Sequence, residues 1–206
     1  LPNDRMYKKL FETEMINKFS HFVFNSYYQK EVFCNRFNFN KKTISVIKNS
    51  IIPIEINQKR YDGKINLIYH TTPHRGLALL AHCFPNIIAE NDKVNLKVFS
   101  SLKIYGWDDK DIMFEPLYKK LKEMKNVEYF SNVSNDKIRA ELINSHIFSY
   151  PNIWPETSCL SAIEAMSAKN LLVLPNLAAL RETGSKSNFL YDFKNNVKEH
   201  IETFYK

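Results

Sequence analysis

Two kinds of hydrophobic pattern divide this chain. Before about residue 48, apolar positions first recur at helical spacing. Met6, Leu10, Phe11, Met15 and Phe19 share one face across residues 3–19, with Asp4 near the start. Residues 21–25 (HFVFN) then predict a short buried strand. Ser26 can cap a helix over 27–37, and residues 43–47 (TISVI) predict a second strand. Residues 49–60 hold a proline and no clear period, which predicts a linker. Residues 58–64 (QKRYDGK) are charged and turn-like, and mark a boundary.

From residue 65 onward, continuous apolar strands alternate with helical segments. Strands are expected at 65–69 (INLIY), 96–99 with 103–105, 127–130, 146–149, 171–174 and 189–191. Helices are expected at 77–83, with Pro85 opening a further segment up to 91, and at 112–124, where Met113, Pro116, Leu117 and Leu121 share one side. Further helices are expected at 136–143 capped by Ser134 or Asn135, after Pro155, at 178–183 ended by Gly184, and at 193–205 with Val197, Ile201 and Phe204 inward. This alternation predicts an α/β fold, a Rossmann-like parallel sheet with helices on both faces, preceded by a partial α/β segment. Three regions are expected: 1–58 with the linker, 59–190 as the main domain, and 191–206 as a C-terminal helix. Such sheets bind ligands at the C-terminal ends of their strands.

That rule selects the candidate chemistry. In residues 149–168 (SYPNIWPETSCLSAIEAMSA), turn chemistry at Pro151 and Pro155 runs into a predicted helix carrying Glu156 and Glu164. Eight residues apart on a helix, two side chains fall within about 80° of each other. A carboxylate can accept two hydrogen bonds from a vicinal diol of ribose or a hexose. Thr157 and Ser158 are good N-cap types, and the helix start would offer free N–H groups to an anion such as a diphosphate. The small residues Ser161, Ala162, Ala165, Ser167 and Ala168 permit close approach to a sheet or ligand. The alternative for the glutamates is a solvated helix face. Arg75 precedes Gly76 in the turn after the first of these strands, on the same rim, and suits a phosphate; the alternative is a surface turn arginine. Asp109 and Asp111 could hold a divalent metal on a diphosphate, but Asp is equally favoured in a helix cap or first turn. His70 and His74 lie in the rim turn and could touch phosphate, whereas structural roles are expected for His82 and His146. Cys159 sits at a helix start, where a thiol pKa tends to fall, yet no base partner for a nucleophile is in view.

Charge and composition add limits. The chain has 206 residues and a net charge of +7, 29 basic against 22 acidic residues. The lysines are spread out, as a coding bias toward Lys, Asn, Ile, Phe and Tyr would give, and not as a nucleic-acid patch. The three cysteines, Cys34, Cys83 and Cys159, are too few and too scattered for a disulfide framework or a metal motif. The opening stretch is polar and charged, unlike a secretory signal, and a reducing cytoplasmic setting is expected. The chain opens on Leu1, which suggests a piece of a longer protein.

Residues 65–184 resemble the C-terminal, nucleotide-binding half of a retaining glycosyltransferase of the GT-B fold. The resemblance rests on INLIYHTTPHRGLALL, VEYFSNVSNDKI, PETSCLSAIEAMSA and LLVLPNLAALRET in that order. Residues 20–52 resemble the closing segments of that family's N-terminal half. The resemblance implies a nucleotide-diphospho-sugar donor, UDP- or GDP-linked, used without metal or other cofactor, and hexosyl transfer with retention. By the same resemblance, Glu156 is the catalytic-site carboxylate that contacts the donor sugar, along with Thr157, Ser158 and Cys159. Arg75 with Gly76, and the backbone of Cys159 and Leu160, would hold the diphosphate. Glu164 would bind the ribose, and Phe130, Ser131, Asn132 and Val133 would border the base. The acceptor would be a glycan, lipid or protein, with no nucleic acid partner and with room for peripheral membrane contact. There are departures: His70 stands where an Arg is common, Thr157 and Cys159 where glycines are usual, and Lys169-Asn170 where a Gly is frequent. Against the family's pattern most of an acceptor half is missing, which implies a partner chain or further segment and an expectation that this chain alone binds donor without transferring it. A nucleotide-sugar or protein-binding module without catalysis, a metal-dependent transferase using Asp109 and Asp111, and a basic nucleic-acid binder remain as other readings.

Overall fold

The structure, a computed structural model, describes residues 13–39, 42–184 and 189–206. A helical turn α1 (Thr13–Ile16) leads into β1 (His21–Phe24), α2 (Tyr27–Arg36) and β2 (Thr43–Val46). Most of the helix expected over 3–19 lies outside the described residues. Ser26 caps α2, its hydroxyl accepting from the Gln29 N–H at 2.9 Å. Strands β1 and β2 form a parallel pair. Ile16, Phe24, Phe33 and Phe39 gather into a small core of their own.

The main sheet has six parallel strands in the order β5-β4-β3-β6-β7-β8. They are β3 (Ile65–Tyr69), β4 (Val94–Phe99), β5 (Val127–Phe130), β6 (Ile147–Ser149), β7 (Leu171–Pro175) and β8 (Phe189–Tyr191). Between them come α3 (Leu77–Glu90), α4 (Asp108–Asp111), α5 (Glu115–Glu123), α6 (Asn135–Asn144), α7 (Leu160–Ser167) and α8 (Leu180–Thr183), with α9 (Val197–Tyr205) last. The central strands are apolar because helices cover both faces. Ile68, Tyr69, Leu96, Val98, Phe148, Leu172 and Leu174 are fully shielded, as are Leu77, Leu80 and Phe84 of α3 and Leu121 of α5. Ala162 and Ala165 are also fully shielded, so the small residues of α7 let it sit close to the sheet. The chain builds β3, β4 and β5 toward one edge, then crosses back to place β6, β7 and β8 on the other side. Strand order therefore reverses between β3 and β6, the kind of position at whose C-terminal side such sheets hold ligands.

Several elements differ from expectation. Helix α3 runs through Pro85 unbroken. Pro85 lies on the exposed side, and the buried face of Cys83 and Phe84 continues into the packed Ile87 and Ile88, so tertiary burial outweighs the lost backbone bond. Residues 103–105 are no strand: Leu102–Tyr105 is a 3₁₀ turn, closed by Gly106 at φ 68°. The helix expected from 112 is split into α4, a 3₁₀ turn at Ile112–Phe114, and α5. Met113 is 73% exposed, while Phe114, Leu117, Tyr118 and Leu121 face inward. Residues 49–60 hold no regular element but are pinned to the main domain. Arg139 donates to the Ile52 and Pro53 carbonyls, the Ile54 N–H to Ser167 Oγ, and Lys59 to the Leu142 and Ile143 carbonyls.

Candidate functional site

The loops after β3 and β6 flank the point where strand order reverses, and they carry Arg75 and Glu156. Their side chains meet directly, Arg75 Nη1 to Glu156 Oε1 at 2.5 Å. The Tyr150 hydroxyl donates to the same oxygen at 2.6 Å. Glu156 is 6% exposed. Burial works against the Arg75 charge, but Glu156, Tyr150 and Tyr105 outweigh it and move its pKa upward. The Tyr150 hydroxyl is pushed well up by burial and by the nearby Cys159 and Glu156.

Two features fix the Arg75 turn. Pro73–Arg75 is a 3₁₀ turn ended by Gly76 at φ 122°. The Pro151 carbonyl oxygen lies 2.1 Å from where a Gly76 Cβ would sit. The two loops are also tied by the Ile153 N–H, which donates to the Arg75 carbonyl at 3.3 Å. Only a glycine has both the backbone freedom and the space for this approach.

The loops after β3, β4 and β5, with the first turn of α7, enclose a cleft of about 130 Å³. Its walls include His70, Thr72, Arg75, Tyr105, Asn132 and Ser161. Five buried side-chain polar atoms lack a hydrogen-bond partner among the described residues, and four of them belong to this one turn: His70 Nε2, Thr71 Oγ1, Thr72 Oγ1 and Arg75 Nε. Such groups are rare in folded proteins, and their concentration beside one cleft marks a place made for a polar ligand. The Thr71 and Thr72 hydroxyls and Tyr150 were passed over in the sequence reading, and Ser161 entered it only as a small residue. The TT pair inside HTTPHRG, two small hydroxyls between a strand and a basic turn, was the available signal.

Glu156 does not lie on a helix. Helix α7 begins at Leu160, its N-cap is Cys159, and neither Thr157 nor Ser158 caps it. Cys159 has φ 79°, a conformation that glycine adopts freely, and Lys169 after the same helix has φ 58°. Both positions therefore hold a backbone shape that glycine adopts more readily than other residues. The Cys159 thiol is driven up to about 12, by burial first and then by Glu156, the opposite of the shift expected at a helix start. No standard side-chain cap bond is made at α7, although the buried Cys159 sulfur lies against the Ser161 and Ala162 N–H groups and is favoured by them. The Ser158 carbonyl accepts from Thr183 Oγ1 at 2.5 Å, Thr157 Oγ1 accepts from Asn25 at 3.4 Å, and Leu160 is 48% exposed.

Glu164 is on α7, three residues beyond the cleft-lining Ser161, hence one turn along the same face. It is held by Asn135 Nδ2 at 3.1 Å and Arg139 Nη1 at 4.0 Å rather than by Arg75. Ser131, Asn132 and Val133 line the cleft, while Phe130 stacks behind them on Phe99 at 4.7 Å. His74 packs edge-on against Trp154 at the rim. His146 bridges the Asn66 N–H and the Arg60 carbonyl, a structural role.

Asp111 is 2% exposed; it stands at the N-cap position of the Ile112–Phe114 turn, but its side chain makes no capping bond there. Its carboxylate accepts from Tyr118 OH at 2.6 Å, Ser101 Oγ at 2.7 Å and the Leu102 N–H at 2.7 Å. Burial opposes its charge, but these three donors prevail and hold its pKa below the usual range. Asp109 is exposed, and among the described residues no group of three His, Cys, Asp or Glu is arranged to hold a metal. Asp111→Ala would leave three donors without an acceptor and is expected to cost about 2–4 kcal/mol. Urea unfolding checks this, with Asp109→Ala expected to be near neutral. Because the folded pKa is depressed, this stabilisation is present above the unfolded pKa and is lost as pH falls through the folded one.

No model of a known protein family matches the chain, and no curated protein matches it. Solved structures do. A glycosyltransferase from Rickettsia africae aligns with TM-score 0.71 at 16% identity, over 97% of this chain and 55% of that one. S. aureus TarM, as a mutant in complex with UDP, Fondaparinux and alpha-GlcNAc-glycerol, aligns with TM-score 0.69 at 18% identity, over 98% and 39%. Anabaena HepE in complex with UDP-glucose aligns with TM-score 0.69 at 14% identity, over 93% and 55%. The chain thus has the fold of the C-terminal half of the GT-B architecture together with the tail of the N-terminal half, and it spans about 40–55% of these relatives' length.

Proposed function

We propose that this chain, with its GT-B C-terminal fold, is the donor-binding part of a glycosyltransferase that takes a nucleotide-diphospho-sugar and transfers the sugar with retention. One observation carries the reading: the four unpartnered buried polar atoms of residues 70–75 sit beside a cleft at the switch point of the sheet. A diphosphate would accept from Arg75, Thr72 and the N–H groups at the start of α7. The sugar would lie toward Glu156 and the ribose toward Glu164, with the base against residues 131–133. As the donor bond breaks, negative charge builds on the diphosphate, and Arg75 and the α7 end are already in place to stabilise it. These residues supply that stabilisation without a metal, in a cytoplasmic setting. The acceptor, a glycan, lipid or protein, would be held by a further segment or partner chain.

Titration calorimetry with UDP, GDP and their sugars tests the reading. Binding in the roughly micromolar-to-millimolar range is expected for one base, with about a tenfold loss in Glu164→Ala, the size of one or two lost hydrogen bonds. No binding to any member of the panel rules the reading out. A binding module without catalysis is the second reading. It is favoured by the direct Arg75–Glu156 pairing, in which the two charges neutralise each other. That module would bind donor and show neither hydrolysis nor transfer when supplied with acceptors.

A further inference from the structure

His70 directly follows β3 and lines the cleft, 6% exposed. Its carbonyl accepts from Ser161 Oγ at 3.2 Å, and its ring packs on Phe148 at 5.0 Å, so both backbone and ring are fixed. Its Nε2 has no hydrogen-bond partner among the described residues. A buried imidazole nitrogen left without a partner is costly, unless something that enters the cleft completes it.

We propose that His70 is a proton-coupled ligand of the donor diphosphate: at mildly acidic pH it is neutral in the empty site and takes up a proton from solvent when the dianion enters. This inference rests on the donor-site reading above. The imidazolium so formed donates from Nε2 to a phosphate oxygen, and the site gains one positive charge that the empty cleft does not have to bury.

The surroundings of His70 favour this behaviour. In the free chain burial lowers its pKa from 6.5 to about 4, against a weaker pull from the Ser161 backbone. The other charged groups nearby are already balanced or distant. On its own turn, Arg75 is paired with Glu156. On α7, Glu164 is held by Asn135 and Arg139 of α6. The segment after β4 brings the Tyr105 phenol to the cleft and keeps Lys103 exposed, the loop after β5 offers the uncharged Ser131 and Asn132, and β6 presents the Phe148 ring. His74 is at the rim against Trp154, its pKa lowered by burial and by Arg75. An incoming dianion is therefore the dominant new charge that His70 meets. An opposite charge within about 4–6 Å raises a base's pKa by about 1–3 units. With a rise of about two units, donor affinity increases about tenfold between about pH 7 and about pH 5.

UDP-glucose is the suitable probe, because its diphosphate diester does not itself titrate in that range. The experiment follows the His70 imidazole resonances against pH by nuclear magnetic resonance, with and without saturating UDP-glucose, alongside calorimetric affinities of wild type, His70→Asn and His70→Arg. The expected result is a His70 pKa raised by at least one unit in the complex. Wild-type affinity should climb as pH falls, and the pH dependence should flatten in both variants, with His70→Arg retaining the affinity that His70→Asn loses. An unchanged His70 pKa in a complex that forms overturns this proposal and leaves the donor site standing. No binding of UDP-glucose, UDP or GDP by wild type at any pH overturns both. A pH dependence that persists in His70→Asn assigns the effect to another group and overturns the proposal.

Discussion

Gly76→Ala is expected to destabilise the chain by about 3–5 kcal/mol and to remove nucleotide binding. Two costs combine. The backbone at φ 122° excludes a side chain at about 1–3 kcal/mol. The new methyl would also sit 2.1 Å from the Pro151 carbonyl oxygen and 2.9 Å from its carbon, atoms of a backbone that cannot swing aside as a side chain can. Overpacking of this kind costs about 1–3 kcal/mol. For a domain of this size the loss corresponds to a melting temperature lower by about 10 °C. Gly106→Ala is the control. Gly106 is also at positive φ, but its added methyl meets nothing within 4 Å, so it should lose only about 1 kcal/mol. Differential scanning calorimetry of the two variants separates close approach of the β3 and β6 loops from backbone conformation alone.

Arg75→Ala should have a comparable effect by a different route. Removing the guanidinium leaves the Glu156 carboxylate, 6% exposed, with Tyr150 as its remaining side-chain donor. Breaking one side of a buried pair costs about 3–5 kcal/mol, because the surviving charge is stranded. Replacing both members by apolar residues of similar size removes that penalty. The double variant Arg75→Met with Glu156→Leu should therefore recover most of the stability lost in Arg75→Ala. It should bind no nucleotide, since the groups assigned to phosphate and sugar are gone. Denaturant unfolding and calorimetry on the three proteins resolve the two effects. If the double variant is as unstable as Arg75→Ala, the pair is not the source of the loss.

The central sheet was legible in the sequence because its strands are continuous apolar runs bounded by turn residues. Ile65–Tyr69, Val127–Phe130 and Phe189–Tyr191 fall where the pattern placed them. The rim that brings Arg75 to Glu156 followed from the same alternation. What the pattern missed was set by side-chain contacts between segments distant in sequence or by backbone geometry. The 3₁₀ turn at Leu102–Tyr105 reads as a strand locally, but Asp111, nine residues on, captures the Leu102 N–H and Ser101 and bends the chain. Pro85 suggested a break that the packing of Phe84 and Ile88 overrides. The start of α7 was placed too early because Thr157 and Ser158 have capping chemistry, whereas Cys159 makes the turn in a glycine-like conformation that its residue type does not advertise. That atoms of Thr71, Thr72 and His70 are left unpartnered was not legible, since a hydroxyl or imidazole without a partner is a property of the folded surroundings; the residue types in HTTPHRG were the signal on offer.

The most direct test of the donor site is to map UDP-glucose onto the backbone amides of the isotope-labelled chain. The account predicts concentrated shifts at Thr72, Arg75, Asn132, Ser161 and Glu164, with little change in the wider apolar groove between α3 and α9 that His82, Val197 and Ile201 line. Shifts centred on that groove, or none at saturating ligand, would contradict it.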